Sequence, residues 1–252
     1  MQQEIIGKRI DVLGKGFVEL VDFMPHPATE ISGDLAIVNA ARVSFIGESK
    51  GEEKDKKLLF YLFKHKHTSP FEQVEFKFRI KAPLMTWWQL VRHRTFSLNL
   101  QSLRYMDADE DEFYVPTEWR KQSSSNKQAS DGVFNKDDSE SFSDTFRKIA
   151  EIGYNSYKSA ISNGMAREQA RLFLPAFAYY YTGIVKVDAH NLMHFLRLRM
   201  SNEAQYEIRV YAETIYENFF KLALPWTAEA FELEISKIDD ALWEETAARN
   251  KE

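Results

Sequence analysis

Residues 82–106 hold no aspartate or glutamate, yet they carry Arg92, His93, Arg94 and Arg104. Between the arginines runs Thr95-Phe96-Ser97-Leu98-Asn99-Leu100-Gln101-Ser102-Leu103. Guanidinium groups keep their charge and offer bidentate donors, and neighbouring hydroxyls and amides add neutral ones, so such a run suits a phosphate. Arg92 and Arg94 flank a histidine where a helix is expected to end, and they repel each other unless an anion lies between them. A second basic set, Arg171, Arg197 and Arg199, falls on later predicted helices. Arg171 and Arg199 can reach the same anion if the fold brings those helices together. The plain alternative is a set of surface arginines paired with carboxylates from elsewhere in the chain.

Histidines are the other candidates. His65 and His67 form an H-x-H pair, and His190 and His194 stand i, i+4 on one helix face, where two imidazoles could share a metal. No carboxylate stands at the matching turn as a third ligand, so the expectation is ligand-contacting or hydrogen-bonding histidines and no metal. The chain has no cysteine. That excludes a thiolate nucleophile, a disulfide framework, Cys-ligated zinc and a Cys-held iron–sulfur cluster. Covalent or hydride chemistry must then come from another side chain or a bound cofactor.

Several elements must position these groups. Phe17 to Phe23 alternates well enough for a half-buried strand, and Gly33-Asp34 opens a helix with Leu35, Ile37, Val38 and Ala41 on its apolar side. Lys56 to His65 reads as an amphipathic helix. From Gln73 to Lys81, Val74, Phe76, Phe78 and Ile80 alternate strictly with polar residues, which predicts a strand with one dry face. Pro83 sits where a helix can begin, and Leu84 to Arg94 keeps helical spacing. Met106 to Ser143 is weakly patterned and is expected to be a mobile loop or a functional lid. Phe142, Phe146, Ile149 and Ile152 mark a long helix ending at Asn163-Gly164, and Arg167 to Leu172 a short one. Ala176 to Val187 reads as a buried strand and Asp188 as the N-cap of a helix to about Met200. Another helix carries Tyr206 to Phe219 and is ended by Pro225. The expected architecture is α/β: helices packed on an antiparallel sheet, as one domain over residues 1–252.

Composition agrees with an ordinary globular protein. Hydrophobic residues make up 44% and charged residues 28% of the 252 positions, and 33 Lys+Arg against 38 Asp+Glu leave a net charge of −5. The overall acidity is a poor match for nucleic acid. No apolar run approaches the roughly 18 residues of a membrane span, and the first residues lack the pattern of a secretory signal. The expectation is a cytoplasmic protein with neither nucleic-acid nor membrane partners.

Arg92-His93-Arg94, seven residues and then Ser102, followed by Arg104-Tyr105, resembles the signature of the flavin-dependent thymidylate synthases. Lys64-His65-Lys66-His67-Thr68-Ser69-Pro70-Phe71-Glu72, Ala40 to Ser44, Ala170 to Pro175 and Leu192 to Arg199 are similar to further segments of that family, in the expected order over about residues 15 to 230. The resemblance implies the fold of that family and the reductive methylation of dUMP to dTMP. Methylenetetrahydrofolate would be the carbon donor, FAD the carrier and NADPH the reductant, in a homotetramer whose active sites are shared between subunits. It also implies roles: Arg92, His93 and Arg94 at FAD, His67 and Ser69 along its adenosine or phosphates, and Asp188, His190 and His194 beside the flavin ring or ribityl chain. Gln89, Ser102 and Arg104 would hold the dUMP phosphate with support from Arg171, Arg92 and Gln101 would also touch the nucleotide, and Arg199 would be the catalytic cation at the pyrimidine. Ser102 then binds phosphate and is no nucleophile. The chain departs from the common pattern at Leu100, often Glu, at Leu103, often Gly, and at Asp188 and His190, where Asn and Arg occur in some relatives. Two other classes stay open on the residues alone: a single-stranded nucleic-acid module built on the Arg92–Arg104 run, and a metal hydrolase built on the histidines.

Overall fold

The computed structural model describes residues 2–45, 47, 49–124, 126–127 and 130–236. A short helix α1 (Gln2–Ile5) leads into a hairpin of β1 (Arg9–Val12) and β2 (Gly16–Met24), then helices α2 (Gly33–Arg42) and α3 (Glu52–Lys64). Next come β3 (Glu75–Pro83), α4 (Leu84–Leu90) and the short β4 (Ser97–Leu100). A two-stranded ribbon, β5 (Arg120–Gln122) and β6 (Ser130–Val133), precedes α5 (Lys136–Ser162). The chain continues through α6 (Arg167–Ala170), β7 (Tyr180–Asp188), α7 (Ala189–Arg199), α8 (Tyr206–Ile215), a π-helical turn (Tyr216–Phe220) and α9 (Lys221–Ala223). Residues 225–236 are helical.

β1, β2, β3, β7 and β4 form one antiparallel sheet in that order. The alternation read in β3 is the reason for its sidedness: Val74, Phe76, Phe78 and Ile80 are all buried in the main core. Phe78 meets Phe219 edge-on with ring centroids 5.7 Å apart, and Phe76 stacks near Phe220 at 5.9 Å. The opposite face is wet and carries cross-strand ion pairs, Arg79 to Glu19 at 2.6 Å and Lys186 to Glu75 at 2.9 Å. A satellite cluster of Leu103, Tyr154, Tyr157, Ala170, Leu174 and Tyr179 lies under α5.

Three expectations need correction. The helix after Pro83 stops at Leu90, not Arg94. Trp87 is fully buried, but Trp88 and Val91 on the rest of that face are half exposed, so nothing repays extending the helix. The 106–143 stretch contains the β5–β6 ribbon and the first two turns of α5, whose N-cap is Asn135, its side chain accepting from the Asp138 N–H at 2.8 Å. Within that stretch Ser125, Gln128 and Ala129 lie outside the described residues. The late strand begins at Tyr180, because Pro175 sets a 3-10 turn over Ala176–Ala178 before the chain can extend.

Gly16 joins β1 to β2 in a place with no room for a side chain. A methyl there would overlap the Tyr211 hydroxyl and come within 2.5 Å of the Val12 carbonyl oxygen and 2.8 Å of the Lys81 carbonyl oxygen. Gly16→Ala is expected to destabilise the fold by about 2–3 kcal/mol in denaturant titration at matched protein concentration. Adding Tyr211→Phe should not rescue it, since the two backbone oxygens remain.

Candidate active site

The centre of the candidate site is built by two helices leaving neighbouring strands. Trp87 is buried and its indole N–H donates to the Tyr181 carbonyl at 3.0 Å, which fixes α4 against β7. The turn that follows is closed by the His93 N–H on the Leu90 carbonyl and the Phe96 N–H on the His93 carbonyl. These bonds turn His93 inward, where it is 7% exposed and its ring lies 5.0 Å from Phe195 and 5.6 Å from Phe96. Arg92 and Arg94 on either side stay exposed.

The partner of His93 comes from α7. Asp188 caps that helix, accepting from the Asn191 N–H at 2.9 Å and the Asn191 side-chain amide at 2.7 Å. At its other end, the Arg199 Nε–H donates to His93 Nε2 at 3.1 Å, and Nη2 reaches the Gln89 carbonyl at 3.5 Å. An imidazole that accepts at Nε2 is neutral there. Burial first, then the charges of Arg199 and His194, push the His93 pKa down to about 4. Burial and the nearby Arg92 also lower the pKa of Arg199, yet a guanidinium stays charged at neutral pH. The site therefore presents a partly desolvated cation held by a neutral acceptor.

Gln89, Arg92 and Arg199 line one side of a cavity of about 1300 Å³. Its other side is made by Tyr114, by Trp119 just before the ribbon and Arg120 within it, and by Tyr206 and Glu207 from α8. Glu207 is 1% exposed and binds Arg120 at 2.5 Å, while the Gln205 amide donates to its second oxygen at 3.0 Å. The Arg120 guanidinium also lies 4.9 Å over the Tyr206 ring. Burial, and next the Glu207 charge, raise the Tyr114 phenol well above its ordinary value. None of these residues was singled out in the sequence as part of a site. A buried glutamate looks like any surface glutamate until its partner is known, and Arg120 lies 87 residues away.

The remaining expected residues form two other groups. Gln101 is pinned to β7 through its N–H on the Thr182 carbonyl and its side-chain oxygen under the Thr182 N–H. Ser102 Oγ accepts from the Arg104 N–H at 3.3 Å. Arg104 is 3.6 Å from Glu168, and Arg171 Nε donates to the Glu168 carbonyl, so Ser102, Arg104 and Arg171 gather around α6. None of them lines the cavity that Arg199 lines. Arg197, two residues before Arg199, is instead ion-paired with Glu234. His67, His190 and His194 line a separate cleft of about 100 Å³ between the end of α3 and α7, with Thr68 and Met193; Ser69 is exposed next to it. His65 packs against Tyr61 with ring centroids 4.3 Å apart and planes tilted by 41°. Among the described residues, no group of three or more His, Asp and Glu side chains is placed to hold a metal.

The family described as thymidylate synthase complementing protein matches residues 19–226. A flavin-dependent thymidylate synthase of Thermus thermophilus is 45% identical over 225 residues, covering 88% of this chain and 78% of the relative. The enzyme of the same name from Thermosipho africanus is 43% identical over 223 residues, covering 87% and 92%. Among solved structures, the UMP/dUMP methylase PolB of Streptomyces cacaoi bound with 5-Br dUMP is similar with a TM-score of 0.75 at 32% identity, covering 86% of this chain and 95% of that one.

The buried neutral His93 makes a pH prediction. Below pH 6.5 the unfolded chain takes up a proton at this residue, whereas the folded chain does not until about pH 4. Acidification through that window therefore removes stability, at up to about 1.4 kcal/mol per pH unit. Melting curves taken from pH 7 to pH 4.5 should fall more steeply for the wild type than for His93→Leu; parallel profiles would show that His93 is not held neutral.

Proposed function

The chain belongs to the flavin-dependent thymidylate synthase family, and on that premise we propose that it converts dUMP to dTMP with methylenetetrahydrofolate as carbon donor, FAD as its flavin and NADPH as reductant. Turning a bound methylene into a methyl group takes two electrons, which NADPH provides, so the folate leaves at the tetrahydro level. A bound flavin supplies the redox and one-carbon transfer chemistry. The absence of cysteine supports this reading, since no thiolate is present to add at C6 of the pyrimidine and force electron density onto C5.

The side chains fit a phosphorylated cofactor and a nucleotide. Arg92 and Arg94 make no ion pair among the described residues, and with His67, Ser69, His190 and His194 they form a donor set suited to diphosphate and ribityl oxygens. Asp188 stands at the head of α7 with one hydrogen bond from Asn191 on each oxygen, and each oxygen keeps a lone pair for a cofactor donor. It acts by fixing the first turn of α7 and so the places of His190 and His194. Gln89, Arg92 and Arg199 take the pyrimidine end of dUMP, where the Arg199 cation stabilises negative charge as N3 ionises and so activates the ring. Gln101, Ser102, Arg104 and Arg171 take the phosphate. The observation that carries this reading is the fixed Arg199 guanidinium at the wall of a cavity large enough for two stacked ring systems.

The phosphate residues lie outside the cavity that Arg199 of the same chain lines, which supports active sites that draw their halves from two subunits of a homotetramer. Leu172, Phe177, Ile152 and Trp88 are 81%, 62%, 67% and 50% exposed in the single chain, which is apolar surface suited to a subunit contact. The whole chain then works as one domain. No helix among the described residues is long and apolar enough to cross a membrane, and we place the reaction in the cytoplasm, with no nucleic-acid partner.

Anaerobic turnover of dUMP with methylenetetrahydrofolate and NADPH should yield dTMP only when FAD is bound; its absence under those conditions overturns the reading. Arg199→Ala should keep flavin content and melting behaviour while reducing kcat on the order of 100-fold or more. Ser102→Ala should raise the dUMP KM more than it lowers kcat. The shared site has its own test: Arg199→Ala chains co-assembled with Ser102→Ala/Arg104→Ala chains should regain turnover that neither parent shows, and no recovery would mean that each site is built by one chain.

A further inference from the structure

We propose that His93 is a positioning residue whose Nε2 holds the Nε–H of Arg199, and thereby sets where the outer guanidinium nitrogens meet the substrate. The inference rests on the pyrimidine role proposed for Arg199.

Arginine is a long, flexible side chain that carries about 2 kcal/mol of rotamer entropy. Arg199 is also the last residue of α7, with Met200 as the C-cap. Left alone, its guanidinium would sweep the mouth of a wide cavity. The tether removes that freedom because its own anchor is rigid: the turn bonds to Leu90 and Phe96 fix the His93 backbone, and Phe96 and Phe195 clamp its ring. With Nε–H taken by the imidazole and Nη2 near the Gln89 carbonyl, one edge of the guanidinium faces protein and the rest faces the cavity.

The chemistry of the anchor matters as much as its position. A guanidinium has only donors, so the anchor must accept. A carboxylate would hold it more strongly, but would also neutralise the charge that the substrate needs; Glu234 does that to Arg197 on the same helix. A neutral imidazole holds the cation in place and leaves its charge for the cavity. Arg199 and His194 face His93 from α7 and oppose a positive charge on the ring, while Arg92 acts on Arg199. Burial acts in the same direction.

The test uses the flavin-loaded enzyme and two variants. His93→Leu keeps apolar bulk and removes the acceptor; His93→Gln places a carbonyl oxygen near the position of Nε2. Turnover at saturating dUMP is expected to fall on the order of 10- to 100-fold in the leucine variant and to return to within a few-fold of wild type in the glutamine variant. Turnover is expressed per bound flavin in both variants, so that a change in cofactor occupancy is separated from a change at Arg199. In an Arg199→Ala background, His93→Leu should add no further loss. Independently of activity, nitrogen NMR of the wild-type protein should show His93 bare at Nε2 and a slowly exchanging Arg199 Nε–H, which His93→Leu converts to fast exchange. Wild-type turnover in His93→Leu, a glutamine variant as impaired as the leucine one, or a proton on Nε2 would each overturn the proposal. A fully active Arg199→Ala would instead refute the assigned role of Arg199, and the NMR result would still decide whether the tether exists. If His93→Leu does not fold, the glutamine variant and the wild-type spectrum carry the test.

Discussion

The antiparallel pairing of β3 with β7 is the constraint on which the site depends. Its register runs from Glu75 opposite Asp188 to Pro83 opposite Tyr180. The chain therefore leaves β3 at one end of the pair, into α4, and leaves β7 at the other end, into α7. An 11-residue helix advances about 16 Å, which carries Arg199 back along the sheet toward the turn that follows α4. There His93 waits. A slip of one residue in this pairing would turn Phe76 and Phe78 to the wet face and dismantle the core that α7 and α8 pack on.

Electrostatics then decides which arginine can act. Arg197 and Arg199 are two residues apart on one helix, so they point to opposite sides of it. One meets Glu234 and the other a neutral imidazole. The same distinction separates Arg104, near Glu168, from Arg92, which lines the cavity and makes no ion pair among the described residues. A charge left uncompensated in a partly dry place is costly to the fold and useful to a reaction that develops negative charge. The far wall of the cavity obeys the opposite rule. Glu207, buried on α8, is compensated by Arg120 and Gln205, and this fastens the ribbon across the cavity without leaving net charge there.

Much of this was legible from local pattern. The strict alternation of Val74, Phe76, Phe78 and Ile80, the Asp188 cap and the Asn163-Gly164 stop are all short-range signals, and each marks its element correctly. So does the acid-free run from Arg92 to Arg104, whose spacing carries the family resemblance that the comparisons bear out. The 106–143 segment was not legible as structure. Its ribbon is polar and exposed, held by backbone pairing and by one ion pair to a distant helix, and neither leaves a periodic trace.

By itself the sequence determined the chemistry available: no thiol, a concentration of guanidinium and amide donors, and a sheet with one dry face. It determined these because composition and near-neighbour spacing act within a few residues of the chain. Only the tertiary structure decided which charges are cancelled and which remain. Whether an arginine meets a glutamate or an imidazole, and whether Arg171 and Arg199 share one cavity, depends on residues tens to hundreds of positions away, brought together by strand register and helix length.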